Sequence, residues 1–425
     1  MSLYYPEYNI ILCRYSEIAL KGKNRWIFEQ RMIDRINRLL NKFSFLTIRK
    51  IRGRIVIHFN DYSCFTEDDM EKIGSALKRV FGLDSFSFAI KTDSDIESIR
   101  KKVDESCEQI VPKIISLKKT DKLTFRIRVR RSNKHFPMTT KDTEIDLSDI
   151  VYNKNKNFSV NLDKADLSVY CEIHTDYTFI FYDKEFGPGG LPSGSNPPVL
   201  SLLSGGFDSP VASYMIMKRG VFVDFLSFHS FPFTPQATVD KVRRLAGLIN
   251  RYQGPRRLFL CNLLEVQKIL CAETYETFRT IYYRRFMFRL AEKIAYLNGN
   301  KALVTGESVG QVASQTIVNL SNIDSAIEML VLRPLIGMDK IEIMRLAEKI
   351  GTFEASKLQV PDSCTVFSPS NPSTGAPRKM IINGEKRLDI EALVNLAYQS
   401  TVVIDIDSGE ETPIDKVFGE NSLSI

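Results

Sequence analysis

Apolar residues follow two rhythms along this chain, one in each half. In the first half they alternate with basic residues or recur at helical spacing. In the second they gather into short unbroken runs separated by amphipathic stretches. Residues 9–15 read as a strand. Asn24 is placed as the N-cap of a helix from Arg25 to about Lys42, with Ile27, Phe28, Met32, Ile33, Ile36, Leu39 and Leu40 on one face. Strands near 46–50 and 54–59, joined around Gly53, a helix near 66–80 and a strand near 85–90 complete a β-α-β-β-α-β order, which is ferredoxin-like. A second amphipathic helix is expected over 94–118. From Leu123 to Val129 the chain alternates, setting Phe125, Ile127 and Val129 against Arg126, Arg128 and Arg130. Strands at 167–173 and 178–182 follow.

The second half changes character. Val199–Leu203, Phe222–Phe228, Arg257–Cys261 and Ala302–Thr305 have the length of buried parallel strands, and helices at 211–218, 236–251 and 275–298 separate them. A parallel α/β sheet is expected, with ligands at the carboxyl ends of its strands. Gly- and Pro-rich residues 187–198 mark a linker. The expected divisions are 1–90, 91–186, the linker 187–198, and 199–425, where a strand or helix pair follows Lys379. The fold class is thus α/β and α+β multidomain.

A chain of 425 residues, 44% hydrophobic and 26% charged, has the apolar mass for several ordinary cores. It has no apolar run long enough for a membrane span, and its first residues lack the pattern of a secretory signal. Seven scattered cysteines without a CxxC pair fit a reducing cytoplasm, and structural zinc is not expected. The net charge of +7 is unevenly spread: residues 1–54 carry twelve Lys/Arg against four acids, and 118–134 carry eight against one. Two such clusters point to a polyanion, RNA or DNA. His135 in the second cluster reads as a solvated, RNA-facing residue, because no carboxylate or nucleophile motif accompanies it.

The candidate chemistry sits after the run Val199–Leu203, at Ser204-Gly205-Gly206-Phe207-Asp208-Ser209. A strand, a tight glycine loop and a helix start place free N–H groups and two hydroxyls where an anion can settle. Asp208 is suited to hold Mg²⁺ or orient a phosphate. The Gly-Lys-Ser/Thr ending of a Walker A loop is absent, and so is the third glycine of a dinucleotide fingerprint.

This run resembles the PP-loop of ATP pyrophosphatases, which grip the pyrophosphate of ATP and leave AMP on a substrate. Further stretches resemble the ThiI family of tRNA 4-thiouridine synthetases: Tyr15–Arg25, Phe125–Thr139 (similar to its THUMP RNA-binding domain), Gly187–Pro192, Arg284–Gln315, Arg333–Ile343 and Gln359–Phe367. The resemblance implies a ferredoxin-like domain, a THUMP domain and a Rossmann-like PP-loop domain. It implies ATP contacts at Leu202, Leu203, Ser227, Phe228, Arg284, Gly306 and Gln315, beside Ser204, Gly205, Gly206, Asp208 and Ser209. Lys340 matches a lysine near the transferred phosphate, and Cys364 the sulfur-carrying cysteine. Lys21, Lys23, Arg25, Arg126, Arg128, Arg130, Arg131 and Lys134 are the expected RNA contacts. The implied substrates are ATP, with Mg²⁺, and the uridine at the eighth position of tRNA. A cysteine desulfurase is the implied sulfur donor, and a homodimer the implied assembly. No rhodanese domain is expected after Lys379, which leaves open the family's internal disulfide route for resolving the used persulfide and a role in thiamine-thiazole synthesis. Cys13, Cys171 and Cys261 lie in strand-like runs and are expected to be buried; Cys261, Cys271 and Cys364 do not have a recognised iron–sulfur spacing. Two rivals remain: another PP-loop tRNA-modifying ligase, which needs no carrier cysteine, and an RNA-binding protein with a decayed nucleotide site.

Overall fold

Ile11 and Cys13 face one side of the first strand, β1 (Ile10–Arg14), while Ile10 and Leu12 face the other, and all four are buried. Such two-sided burial marks a central strand. The computed structural model describes residues 5, 7–43, 45–51, 53–361 and 366–419. The chain divides between Pro192 and Ser193 into two compact units.

In the first unit β1 leads through α1 (Arg25–Leu39), β2 (Leu46–Ile51), β3 (Arg54–Phe59) and α2 (Glu67–Leu77) to β4 (Ser85–Thr92). β1 pairs antiparallel with β3 and β4, and β2 with β3, which is the ferredoxin-like order β2-β3-β1-β4. A capping box between Thr66 and Asp69 starts α2. Met32 and Ile36 of α1 and Ile73 and Leu77 of α2 join the core on Ile11, Ile55, Ile57 and Phe86.

The sheet then continues. After α3 (Ile96–Lys118), β5 (Thr124–Arg131), α4 (Thr140–Lys154), β6 (Ser159–Val160), β7 (Leu167–Ile173), β8 (Thr178–Phe181) and β9 (Glu185–Phe186) complete the unit. β8 pairs antiparallel with the end of β4, Ile90 opposite Ile180, so both halves share one sheet in the order β2-β3-β1-β4-β8-β7-β5-β6. β5 lies parallel to β7. The helix α4 has no counterpart in the expected elements. It buries only Thr143, Leu147 and Val151, too narrow a stripe to announce itself.

β10 (Leu191–Leu202) begins at the end of the first unit and belongs to the second from Ser193 onward. Residues 191–198, expected as linker, are therefore strand, despite three prolines. α5 (Asp208–Met217), β11 (Arg219–His229), α6 (Gln236–Asn250), β12 (Arg257–Asn262), α7 (Leu264–Glu273) and α8 (Arg279–Leu297) follow. Then come β13 (Leu303–Val304), α9 (Ile317–Asp324), β14 (Val331–Leu332), α10 (Lys340–Ile350), α11 (Phe353–Lys357), α12 (Arg378–Glu385), α13 (Ile390–Gln399), β15 (Thr401–Asp405), β16 (Glu411–Pro413) and α14 (Ile414–Phe418). The strand order is β14-β13-β10-β11-β12-β15-β16. β10 with β13, β13 with β14 and β11 with β12 are parallel. β15 and β16 add an antiparallel edge, so the sheet is mixed rather than wholly parallel. Leu200, Leu226 and Phe259 from its centre pack with Phe286, Leu290 and Ile294 of α8. Among the described residues, no helix is long and apolar enough to cross a membrane.

Candidate active site

The loop 204–209 is shaped by its own hydroxyls. Ser209 Oγ accepts from the Ser204 amide at 2.8 Å and lies 3.1 Å from Ser204 Oγ, which accepts from the Gly206 amide at 3.3 Å. Ser213 Oγ, one turn into α5, donates to the Ser209 carbonyl at 2.8 Å and lies 2.8 Å from Ser201 Oγ. This ties strand end, loop and helix start into one unit, with the first turn of α5 opening on the loop, an arrangement that favours anions. Gly306, after β13, approaches the loop so closely that a Cβ there would lie 2.6 Å from the Ser209 nitrogen and 2.7 Å from the Asp208 carbonyl carbon.

At the carboxyl ends of β10, β11 and β13 lies a cavity of about 420 Å³. All twelve residues expected to meet ATP line it: Leu202 to Gly206, Asp208 and Ser209 from the loop, Ser227 and Phe228 from β11, Arg284 from α8, and Gly306 and Gln315 beyond β13. Gln315 is positioned by the Ser308 amide, which donates to its Oε1 at 3.2 Å.

Lys340 reaches the edge of this site from another element. A capping box between Asp339 and Glu342 fixes the start of α10, putting Lys340 in its first position. Its Nζ donates to Asp208 Oδ1 at 2.8 Å, while Gln311 Nε2 donates to Asp208 Oδ2 at 3.0 Å. Asp208 is thus one carboxylate held between a cation and an amide. No cluster of three or more metal-ligating side chains occurs among the described residues.

Several lining residues escaped the sequence reading. Glu307 is 1% exposed. Its Oε1 accepts from Arg284 at 3.1 Å and its Oε2 from Arg333 at 2.7 Å and Thr305 at 2.9 Å. Arg333 also pairs with Asp324. Burial works against the Arg333 charge, but its bonds to Asp324 and Glu307 outweigh that and hold its pKa above the usual value. Thr238 and Lys241, three residues apart on one face of α6, also line the cavity, as do Val360 and Pro361. For Glu307 and Gln311 the only signal was their place inside the run 306–315; for Lys241 there was none.

Cys364 lies outside the described residues. The chain before it is well tied. Ser356 Oγ donates to the Gly206 carbonyl at 3.3 Å, and Thr238 Oγ1 to the Pro361 carbonyl at 2.9 Å. After it, the Phe367 carbonyl accepts from Arg279 at 3.2 Å. Cys13, Cys171 and Cys261 are buried. Burial pushes the first two up to about 12 and Cys261 up to about 11, far from thiolate chemistry at neutral pH.

The cations of the first unit divide into two groups. Lys23, Arg128, Arg130 and Lys134 are exposed. Arg25 instead donates to Glu29 at 2.7 Å and to the Tyr15 hydroxyl at 2.6 Å. Arg126 holds Ser168, Tyr170 and the carbonyls of Leu162 and Asp163. Arg131 holds the carbonyls of Phe136 and Met138. Lys21 leans 3.8 Å from Glu17 and over the Phe28 ring. Arg25, Arg126 and Arg131 therefore shape the surface on which the exposed cations stand, and Arg128 does both, donating to the Leu162 carbonyl at 2.6 Å. His135 is exposed.

Comparison with known proteins is consistent along the chain. Profiles described as "ThiI ferredoxin-like domain", "THUMP domain" and "Thiamine biosynthesis protein (ThiI)" match residues 10–87, 93–183 and 194–390. A "Probable tRNA sulfurtransferase" of Alkaliphilus oremlandii is 39% identical over 395 residues, 93% of this chain and 98% of that one. One of Brevibacillus brevis is 38% identical over 399 residues, 94% and 96% of the two chains. Among solved structures, a 4-thiouridine synthetase in complex with RNA and bound ATP aligns with a TM-score of 0.81 at 34% identity, covering 93% of this chain and 99% of that one.

Proposed function

The chain belongs to the ThiI family, and from that premise we propose that it is a tRNA sulfurtransferase, using ATP to replace the O4 oxygen of a tRNA uridine with sulfur and so form 4-thiouridine. One observation carries the reading. The cavity built on the loop 204–209 is also lined by Val360 and Pro361, and Pro361 precedes Cys364 by three residues, a length of chain that spans at most about 11 Å.

The proposed sequence has two stages. ATP lies in the cavity with its phosphates on the loop 204–209 and its base toward Ser227, Phe228 and Gln315. The O4 of the uridine at the eighth tRNA position, turned out of its stack, attacks the α-phosphorus, and pyrophosphate leaves against the loop amides. Lys340 and Arg284 offset the charge that develops there. The carbonyl oxygen is now part of an adenylate and a competent leaving group. A Cys364 persulfide, loaded by a cysteine desulfurase, attacks C4 through its terminal sulfur. The C4–O bond breaks and AMP departs with that oxygen. An external thiol reductant then cleaves the S–S bond, leaving 4-thiouridine and a Cys364 thiol.

Mg²⁺ commonly takes one or two carboxylates and completes its shell with substrate phosphates and water. Asp208, the carboxylate at the edge of the loop, fits a metal that arrives with the nucleotide; when bound, it would neutralise charge on the leaving pyrophosphate. The exposed Lys23, Arg128, Arg130 and Lys134 are assigned to the RNA backbone, in a homodimer working in the cytoplasm.

The test is mass spectrometry of tRNA incubated with the protein, ATP, Mg²⁺ and a persulfide donor. An oxygen-to-sulfur exchange at a single uridine, lost without ATP, is the expected result. Tight ATP binding with unmodified tRNA would favour a different PP-loop ligase.

A further inference from the structure

Lys241 is a lysine buried among the cavity walls, with only 7% of its surface exposed. Its position follows from α6, whose apolar residues Val239, Val242, Leu245 and Ala246 are buried and hold the helix in place. Lys241 touches two separate parts of the site. A Cβ on Gly205 of the phosphate loop would meet the Lys241 side chain at 3.3 Å at Cδ and 3.5 Å at Nζ, so the ammonium rests against the loop backbone. The same ammonium donates to the carbonyls of Ser356 at 2.9 Å and Leu358 at 2.6 Å. Segment 356–361 is thus fastened to α6 by Lys241 and by Thr238, and to the loop by Ser356.

A buried ammonium seeks the most negative acceptors within reach. In the present arrangement two carbonyl dipoles serve it. A pyrophosphate group on the loop brings several full negative charges beside Gly205, and hydrogen bonds between two ionised groups are shorter and stronger than those to a neutral carbonyl. The lysine stem is flexible enough to turn from one set of acceptors to the other. We propose that Lys241 is a pyrophosphate-binding and positioning residue: it turns to phosphate on the loop and in doing so loosens segment 356–361, coupling the occupied nucleotide site to the chain that follows. This deepens the adenylation reading of the cavity and rests on it.

The experiment compares the wild-type protein with Lys241→Met and Lys241→Arg, using inorganic pyrophosphate as the probe. Affinity is measured by calorimetry, and amide exchange of the peptide covering 356–361 by mass spectrometry with and without pyrophosphate. Wild type should show exchange across 356–361 rising several-fold when pyrophosphate binds. Lys241→Met should bind pyrophosphate about tenfold or more weakly, the loss expected for one charge-assisted hydrogen bond, and exchange quickly whether or not pyrophosphate is present. Lys241→Arg, which keeps the cation, should stay within a few-fold of wild type. A purely structural lysine would raise exchange in Lys241→Met yet leave its pyrophosphate affinity unchanged, and that result overturns the proposal. So does a wild-type segment whose exchange ignores pyrophosphate, an observation that needs no variant. If wild type bound neither pyrophosphate nor ATP, the adenylation reading would fall as well; if it bound both while Lys241→Met bound equally well, only the present proposal would.

Discussion

Gly306→Ala is the sharpest perturbation the site offers. A methyl at this position would sit 2.6 Å from the Ser209 nitrogen, 2.7 Å from the Asp208 carbonyl carbon and 2.9 Å from Ser209 Cα. All three are backbone atoms, so no rotamer change relieves the clash. Restoring ordinary contact near 3.4 Å requires the loop and the end of β13 to separate by about 0.8 Å. Overpacking of this kind costs about 1–3 kcal/mol of stability. The catalytic cost is larger, because a displacement of about 1 Å in a group that positions the reacting atoms lowers the rate on the order of 100-fold. Pyrophosphate release from ATP with saturating tRNA should therefore fall about 100-fold in kcat/KM, with a modest drop in melting temperature. Gly337→Ala is the matched control: no atom lies within 4 Å of its Cβ position, so it should change stability by less than about 0.5 kcal/mol. Gly306→Ala with kcat/KM within threefold of wild type would refute the claim that the loop must stand where it does.

Three further outcomes are expected. Glu307→Gln leaves Arg284 and Arg333 without their shared carboxylate; it should cost about 3 kcal/mol in denaturant unfolding and weaken ATP binding, since Arg284 loses its anchor. Asp208→Asn and Lys340→Ala break a pair whose side chains are 20% and 44% exposed, so stability should move by less than about 1 kcal/mol while AMP formation slows by about 100- to 1000-fold. Burial raises the Glu385 pKa, but the bonds from Arg285 and Arg289 outweigh it and hold the carboxyl at about 2. The stabilisation this gives is complete above the unfolded value near 4.5 and is lost as pH falls through about 2; it amounts to about 3 kcal/mol. The stability gap between wild type and Glu385→Gln, measured by urea unfolding, should hold steady above pH 5 and narrow below pH 4; a gap independent of pH would contradict the ion-pair account.

The legible parts of the sequence were those where local chemistry and tertiary need coincide. The strand Val199–Leu203, the glycines after it and the helix that follows were readable because a buried strand, a tight loop and a helix start each leave a residue signature. The mixed edge of β15 and β16 was not, since the direction of a short apolar run is fixed only by the strand it meets. Arg126 looked like an RNA ligand because an alternating strand puts it opposite the core, and Arg131 because it opens a basic loop. Whether a guanidinium then reaches a phosphate or the carbonyls of Leu162, Asp163, Phe136 and Met138 depends on loops that come from elsewhere in the chain. Lys241 was hidden for the same reason: on a helical wheel it is an ordinary lysine beside an apolar stripe, and its meaning appears only when residues more than a hundred positions later close over it.

The account depends on two reactions at one carbonyl, adenylation of O4 in the cavity and attack on C4 by sulfur from Cys364. Single-turnover incubation of Cys364→Ala with α-labelled ATP, Mg²⁺, tRNA and a persulfide donor separates them. The expected result is label accumulating on the tRNA as an adenylate, pyrophosphate released at the wild-type rate, and no 4-thiouridine. Formation of 4-thiouridine by this variant at the wild-type rate, or release of AMP with no label ever bound to tRNA, would contradict it.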